Sequence, residues 1–145
     1  MKDTYLYFRA VADEDNDDGD GASSSVNPTS IAIPTRNITG IAPASDTTVA
    51  IKFLSVRNQG PRGGQAGASG DEIIQDTITL GVNTHRHQGV IDTIIRAMNN
   101  VHSDGFIDVC DDVTTLFGDS TISAVRLHGD ITGIADTGIS VAAAM

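Results

Sequence analysis

Alternating apolar and polar positions predict that most of this chain is β-strand. Residues 4–12 are the first such segment, with Leu6, Phe8 and Ala10 on one face and Tyr5, Tyr7 and Arg9 on the other. The same pattern predicts further strands over 47–56, 72–82, 106–110 and 121–128. Weaker alternation over 31–42, interrupted by Pro34, is typical of an edge strand or an extended arm. The apolar tail, 131–144, fits a last strand or an arm.

The strand predicted over 47–56 has the clearest faces. Val49, Ile51 and Phe53 fall on one side and Thr48, Ala50 and Lys52 on the other. The preceding Pro43-Ala44-Ser45-Asp46 predicts a turn, since proline and short polar residues favour one.

The apolar spacing changes to a helical period only once. Between residues 85 and 101 it follows the i, i+4 spacing of an amphipathic helix. The apolar positions are Val90, Ile91, Ile94, Ile95, Met98 and Val101. Thr84 or Asn83 is expected to cap the start of this helix, and Gly105 is expected to follow its end.

Two segments lack any packing pattern and are predicted to be loops. Residues 13–30 are acidic and then rich in serine, and residues 57–70 contain five glycines and one proline. With 145 residues the chain is expected to form one domain. The predicted class is α+β: mainly antiparallel strands, in a sandwich or a barrel-like body, with one amphipathic helix near 85–101.

A short sequence occurs twice. Asn37-Ile38-Thr39-Gly40-Ile41-Ala42 is echoed by Asp130-Ile131-Thr132-Gly133-Ile134-Ala135. Two copies this far apart do not make a solenoid. They represent either two equivalent strand units or a coincidence in a composition rich in Thr, Gly and Ile.

The charge distribution argues against nucleic-acid binding. The net charge is −10, and six of the nineteen acidic residues lie within 13–20. Without that run the chain has 13 acidic and 9 basic residues, and the basic ones are scattered. Phosphate binding requires clustered Lys and Arg. No membrane span or signal peptide is recognisable, so we expect synthesis in a reducing cytoplasm.

The acidic run suggests a calcium site, since hard cations bind several carboxylate oxygens on a flexible loop. Its candidate ligands are Asp13, Asp15, Asp17, Asp18 and Asp20. The spacing resembles the first half of an EF-hand loop, but Asp18 stands where glycine is needed and Ser24 where glutamate is needed. The alternative is a solvated acidic loop without a cation.

Other catalytic or metal-binding patterns are weak. His85 and His87 at the predicted helix start do not share a face, and His102 and the single thiol do not complete a zinc site. That thiol, Cys110, lies in an apolar strand and is expected to be a small buried residue. No nucleophile elbow or phosphate loop occurs, so an enzyme is not expected.

The strand Tyr5-Leu6-Tyr7-Phe8-Arg9-Ala10-Val11, followed by Ala12 and the acidic run 13–18, is distinctive. It resembles the opening of small virion structural proteins of tailed marine bacteriophages, including cyanophages. The similarity continues through Thr39-Gly40-Ile41, Ser45-Asp46-Thr47, the strand ending at Phe53, Asp104-Gly105-Phe106-Ile107 and Asp111-Asp112-Val113-Thr114. It covers most of the chain in order, and none of these segments is a catalytic motif.

The resemblance implies a non-enzymatic capsid decoration or cement protein that stabilises the phage head. It implies a location on the capsid exterior, the major capsid protein as partner, and a homo-oligomer, with a trimer preferred. It brings no catalytic residue and no cofactor, apart from the calcium considered above. The alternatives are a tail, neck or fibre-associated virion protein, or a host-surface or carbohydrate-binding module. The last usually exposes Trp or Tyr, whereas this chain has no Trp and two Tyr.

Overall fold

A computed structural model describes residues 4–11, 29–54, 75–100, 105–116 and 120–140. These ranges contain ten strands and one α-helix, α1 (His87–Asn99). The strands are β1 (Tyr5–Arg9), β2 (Ser30–Pro34), β3 (Ile38–Ser45), β4 (Thr48–Leu54), β5 (Gln75–Val82), β6 (Phe106–Asp111), β7 (Thr115–Leu116), β8 (Ser120–Thr121), β9 (Val125–Arg126) and β10 (Ile131–Ser140).

The strands form two four-stranded sheets and a small hairpin. Sheet I has the order β2-β1-β6-β9, sheet II has the order β10-β5-β4-β3, and β7 pairs with β8. The β1–β6 pair is parallel, and the other described pairs are antiparallel. The predicted α+β class, mainly antiparallel with one amphipathic helix, is confirmed. The two sheets are separate, as in the sandwich form of the prediction.

The core forms because each sheet and the helix present one apolar side to the same interior. Sheet II contributes Val49, Ile51 and Phe53 from β4, as their alternation predicts. Sheet I contributes Leu6 and Phe8, both fully buried. The helix adds Val90, Ile94 and Ala97, which lie on one face at helical spacing.

The repeated sequence corresponds to two equivalent strands. β3 and β10 are the opposite edges of sheet II, and each begins with one copy. Each also shows the same irregularity, a register shift between the first Ile and the following Gly, at Ile38/Gly40 and at Ile131/Gly133. An equivalent position and an equivalent shift favour paired strand units over coincidence.

The helix ends differ from the predicted ones. The helix begins at His87 after Arg86, with no side-chain cap, because residues 83–86 form a turn in which His85 has a positive φ of 61°. Neither Asn83 nor Thr84 is the cap, and the Asn83 amide instead donates to Asp130 Oδ1 (3.0 Å). Gly105 does not end the helix, which stops at Asn99. It has a φ of 69° directly before β6, and its carbonyl accepts from the Tyr5 N–H (2.8 Å).

Three strand boundaries also differ from the predictions. The segment 31–42 is divided after Pro34 by a 3-10 turn (Thr35–Asn37), so that β2 and β3 belong to different sheets. β3 continues through Pro43 to Ser45, since proline is tolerated on an edge strand, and the turn falls at residues 46–47. The strand predicted over 121–128 was wrong: only the short β8 and β9 form, in different sheets.

Candidate interaction surface

The outer side of sheet I carries an aromatic surface. Tyr5 and Tyr7 of β1 point away from the core, as their alternation with Leu6 and Phe8 predicts. β6 lies parallel to β1 and places Phe106 opposite Tyr5. The Tyr7 and Phe106 rings are tilted by 36° with their centroids 5.1 Å apart. We call Tyr5, Tyr7 and Phe106 the aromatic face.

The aromatic face is exposed although aromatic residues are scarce in this chain. Tyr5 is 37% exposed and Phe106 is 45% exposed. The face contains three of the six Tyr and Phe residues in the sequence. A contiguous exposed apolar surface of this kind is typical of a protein or ligand contact, because leaving it in water is unfavourable.

A β-bulge in β6 places two charged residues, Arg9 and Asp111, opposite each other at the edge of the aromatic face. Tyr7 pairs with Asp108 but Phe8 pairs with Cys110, so Val109 is the additional residue. Val109 and Cys110 are consecutively buried, and Asp111 returns to the outer side opposite Arg9. The Arg9 guanidinium then binds the Asp111 carboxylate through two hydrogen bonds of 2.9 and 2.7 Å. Its Cζ also lies 6.0 Å from the Tyr7 ring centroid, within cation–π distance.

Asp108 is a partly buried carboxylate beside the aromatic face. Its Oδ1 atom is buried and has no hydrogen-bond partner. Burial, and after it the nearby Asp111 charge, raise the pKa of Asp108 from 3.8 to about 6, against a smaller opposing effect of Arg9. Burial of Oδ1 without a hydrogen-bond donor disfavours the charged form of Asp108.

A second polar cluster lies at the end of β6 and joins the two sheets. Asp112 Oδ1 accepts from Arg126 Nη2 (2.6 Å), and Asp112 Oδ2 accepts from the Ile134 N–H of β10 (2.8 Å). Cys110 is buried, as predicted, with its Sγ 3.3 Å from Asp112 Oδ1. Burial first, and then the Asp112 charge, raise the pKa of Cys110 to about 12. The thiol is therefore protonated at neutral pH and unsuited to nucleophilic chemistry.

A shallow groove of about 630 Å³ lies beside the start of α1. It is lined by His85 and Arg86 on one side and by His128 and Asp130 on the other, and its charges are mixed. The His128 Nδ1 accepts from the Asp130 N–H (3.0 Å). His87 Nε2 lies 2.6 Å from the Ser45 carbonyl oxygen.

The predicted calcium ligands lie outside the described residues, as do His102 and the loop 57–70. These ligands are Asp13, Asp15, Asp17, Asp18 and Asp20, and the calcium site stays a prediction. Within the described part of the chain, no three His, Cys, Asp or Glu side chains are grouped as metal ligands.

Sequence reasoning identified two of the three residues of the aromatic face. Alternation along β1 placed Tyr5, Tyr7 and Arg9 on one side. It could not show that Phe106 and Asp108 lie beside them, because that pairing joins residues about one hundred positions apart. The bulge at Val109 also has no sequence signature in this strand, since valine is an ordinary strand residue.

Comparison with known proteins does not identify a relative. No protein family, no curated protein and no solved structure matches this chain. Within the described ranges, no helix has the length and hydropathy needed to cross a membrane.

Proposed function

We propose that this chain is a non-enzymatic structural protein of a tailed-phage virion, a capsid decoration or cement protein that stabilises the head. The aromatic face is the observation that carries the proposal. Three of the six aromatic side chains of the sequence are kept on the outer side of sheet I, which is expected of a subunit that binds another protein. The sequence resemblance of the first strand and its acidic continuation supplies the class of particle.

The partner in this proposal is the major capsid protein, contacted through the outer side of sheet I on the capsid exterior. The proposal also includes assembly of this chain into a homo-oligomer, preferably a trimer. The core supports this expectation, because it contains few aromatic side chains and a thin core gains stability from subunit contacts.

The test is binding to expanded capsids that lack the decoration protein. We expect stoichiometric binding in co-sedimentation and a higher temperature of capsid disruption. Replacing Phe106 with Ser should weaken binding at least tenfold, since it removes the most exposed ring of the aromatic face. The matched control is Ile95→Ser on the helix, where a side chain of similar exposure (43%) lies away from this face. Absence of capsid binding, or equal losses in both variants, would contradict the proposal.

A carbohydrate-binding module is a second candidate, because exposed tyrosines can stack on sugar rings. Tyr7 is poorly placed to stack on a sugar ring, because its own ring already packs against Phe106 and lies within cation–π distance of Arg9. A glycan array distinguishes the two: a specific glycan whose binding is lost in Tyr5→Ser would favour the carbohydrate function.

A further inference from the structure

The repeated sequence makes the two edges of sheet II directly comparable. β3 and β10 each begin with one copy, so Gly40-Ile41 of β3 corresponds to Gly133-Ile134 of β10. On β10 the edge is occupied. The Ile134 N–H donates to Asp112 Oδ2 (2.8 Å), and Arg126 Nη2 donates to the other oxygen of Asp112 (2.6 Å). This edge shows what one copy of the repeat binds, namely a carboxylate that is held by a backbone N–H and a cation.

The Ile41 N–H points outward from β3, as that of Ile134 does from β10. Because the Ile134 N–H turns away from β5, its partner Leu80 directs its own backbone hydrogen bonds to Val49 of β4. Residues two apart in a strand point the same way, so Ile51 also bonds to β5 and leaves Ile41, its partner on β3, facing the outer edge. Within the described residues β3 is the last strand of sheet II, and no acceptor there faces this N–H.

The position of Pro43 agrees with this direction. Pro43 lies two residues after Ile41 and opposite Val49, where an outward position costs no hydrogen bond of the ladder. Because Pro43 has no N–H, Ile41 is the outward donor that this part of the edge retains.

The edge beside the Ile41 N–H is open to an incoming group. Gly40 and Ala42 are both exposed, and a Cβ added at Gly40 would meet no described atom within 4 Å. A Cβ added at Gly133 would instead lie 3.0 Å from Asp112 Oδ2. Gly133 has a positive φ (135°) and Gly40 does not, so the two edges share the direction of the N–H and differ in occupancy.

Lys52 places a cation beside this N–H. It is the partner of Gly40 in the β3–β4 register, and its side chain is exposed. Its partner on β5 is Thr77, and in the described part of the chain Lys52 forms no salt bridge. Neighbouring strands lie about 4.8 Å apart and Gly40 has no side chain in the way, so the four-carbon stem of Lys52 can extend to the outer edge of β3. The Ile41 N–H and Lys52 thus offer the same two kinds of donor that hold Asp112 at β10.

We propose that the outer edge of β3 binds an acidic residue of another protein, whose carboxylate lies between the Ile41 N–H and the Lys52 ammonium group. The ligand is an aspartate or glutamate in an extended segment, since an edge strand binds such segments through its backbone. This surface belongs to a different sheet from the aromatic face, and the inference does not depend on the phage assignment.

Charge favours a different protein over a second copy of this chain. Two copies that each have a net charge of −10 repel each other. β3 itself has no carboxylate that could pair with Lys52 of a second copy across a two-fold axis, and Asp112 of that copy already binds its own Ile134.

The test uses the tetrapeptide Asp-Asp-Val-Thr, which copies Asp111–Thr114, blocked at both ends, added to the full chain and followed by NMR. We expect a saturable shift of the Ile41 amide proton. The Ile134 amide should stay unchanged, because Asp112 already occupies it. The peptide Asn-Asn-Val-Thr has the same shape without the charges, and it should bind about tenfold more weakly.

Three variants make this test specific. Lys52→Gln should weaken peptide binding about fivefold, and Lys52→Arg should keep it, because only the first removes the charge. Arg96→Gln removes the same charge from an exposed position on the helix and should bind like the wild type.

Four results would overturn the inference. Two of them are equal binding of the two peptides and unchanged binding by Lys52→Gln. The third is an Ile41 amide that exchanges with solvent as slowly as the Ile134 amide in the free protein, since this N–H would then not be open. The fourth is protection of the Ile41 amide that increases with protein concentration in the absence of peptide, which would assign the edge to a second copy.

Discussion

Replacing Asp112 with Asn should destabilise the protein by much more than the loss of an ordinary surface charge. Asp112 joins the two sheets, because one oxygen accepts from Arg126 of β9 and the other from the Ile134 N–H of β10. An Asn side chain keeps the shape but has one oxygen and one NH₂ group. Its NH₂ must face one of these two donors, so at least one hydrogen bond is lost.

The size of the effect follows from burial. The Asp112 side chain is 15% exposed and that of Arg126 is 29% exposed, so water replaces the lost contact poorly. A hydrogen bond to a charged group contributes about 1.5–3 kcal/mol, and we expect a loss of about 2–3 kcal/mol in the free energy of unfolding. For a chain of this length this is a decrease of roughly 7–10 °C in Tm.

Equilibrium urea unfolding at pH 7 measures this loss, with an unchanged m value showing that the folded state remains compact. The matched control is Asp92→Asn, which breaks the exposed Asp92–Arg96 pair of α1 (2.9 Å). Such a pair contributes about 0.3–0.5 kcal/mol. If the two variants lose the same stability, or if Asp112→Asn loses none, Asp112 does not hold the sheets together as described.

Three further predictions concern titration, reactivity and calcium. The pKa of Asp108 is raised to about 6, because the folded state favours its neutral carboxyl group. The contribution of Asp108 to the stability of the folded state is therefore highest below pH 4, and it is lost as the pH rises through 6. Asp108→Asn should therefore increase the free energy of unfolding at pH 7 by about 1 kcal/mol after allowance for solvent screening, and by a few tenths at pH 4; an equal gain at both would contradict this. Cys110, buried and with a pKa of about 12, should react with a thiol reagent at pH 8 only on unfolding, so rapid labelling of the native protein would be contrary evidence. If the run 13–20 binds calcium, millimolar calcium should raise Tm beyond the effect of sodium at equal ionic strength, and triple replacement of Asp13, Asp15 and Asp17 by Asn should remove the increase; no shift would leave the solvated-loop alternative.

Local periodicity predicted the elements well where one side of an element is buried. The buried sides of β1 and β4 and the helix face around Ile94 agree with their alternation or helical spacing. Periodicity failed where the formation of a strand depends on the neighbouring strand with which it pairs. β9 has two residues because its ladder with β6 contains only Val125 and Arg126, although the sequence alternates over 121–128.

The candidate site depends on long-range pairing and was predictable only in part. The outward direction of Tyr7 follows from its neighbours in β1. Asp108 lies beside Tyr7 because β1 and β6 form a parallel pair. In the sequence, four other strands and the helix lie between these two strands. Local pattern carries no information on which strands become neighbours, and the Val109 bulge that brings Asp111 to Arg9 depends on that pairing.

Under the proposed function, a reconstruction by electron cryomicroscopy of a tailed-phage particle assembled with this chain tests the central claim most directly. The account predicts symmetric copies on the capsid exterior, with Tyr5, Tyr7 and Phe106 buried against the major capsid protein. A copy found in the tail or neck, or a capsid-bound copy with the aromatic face directed into solvent, would contradict it.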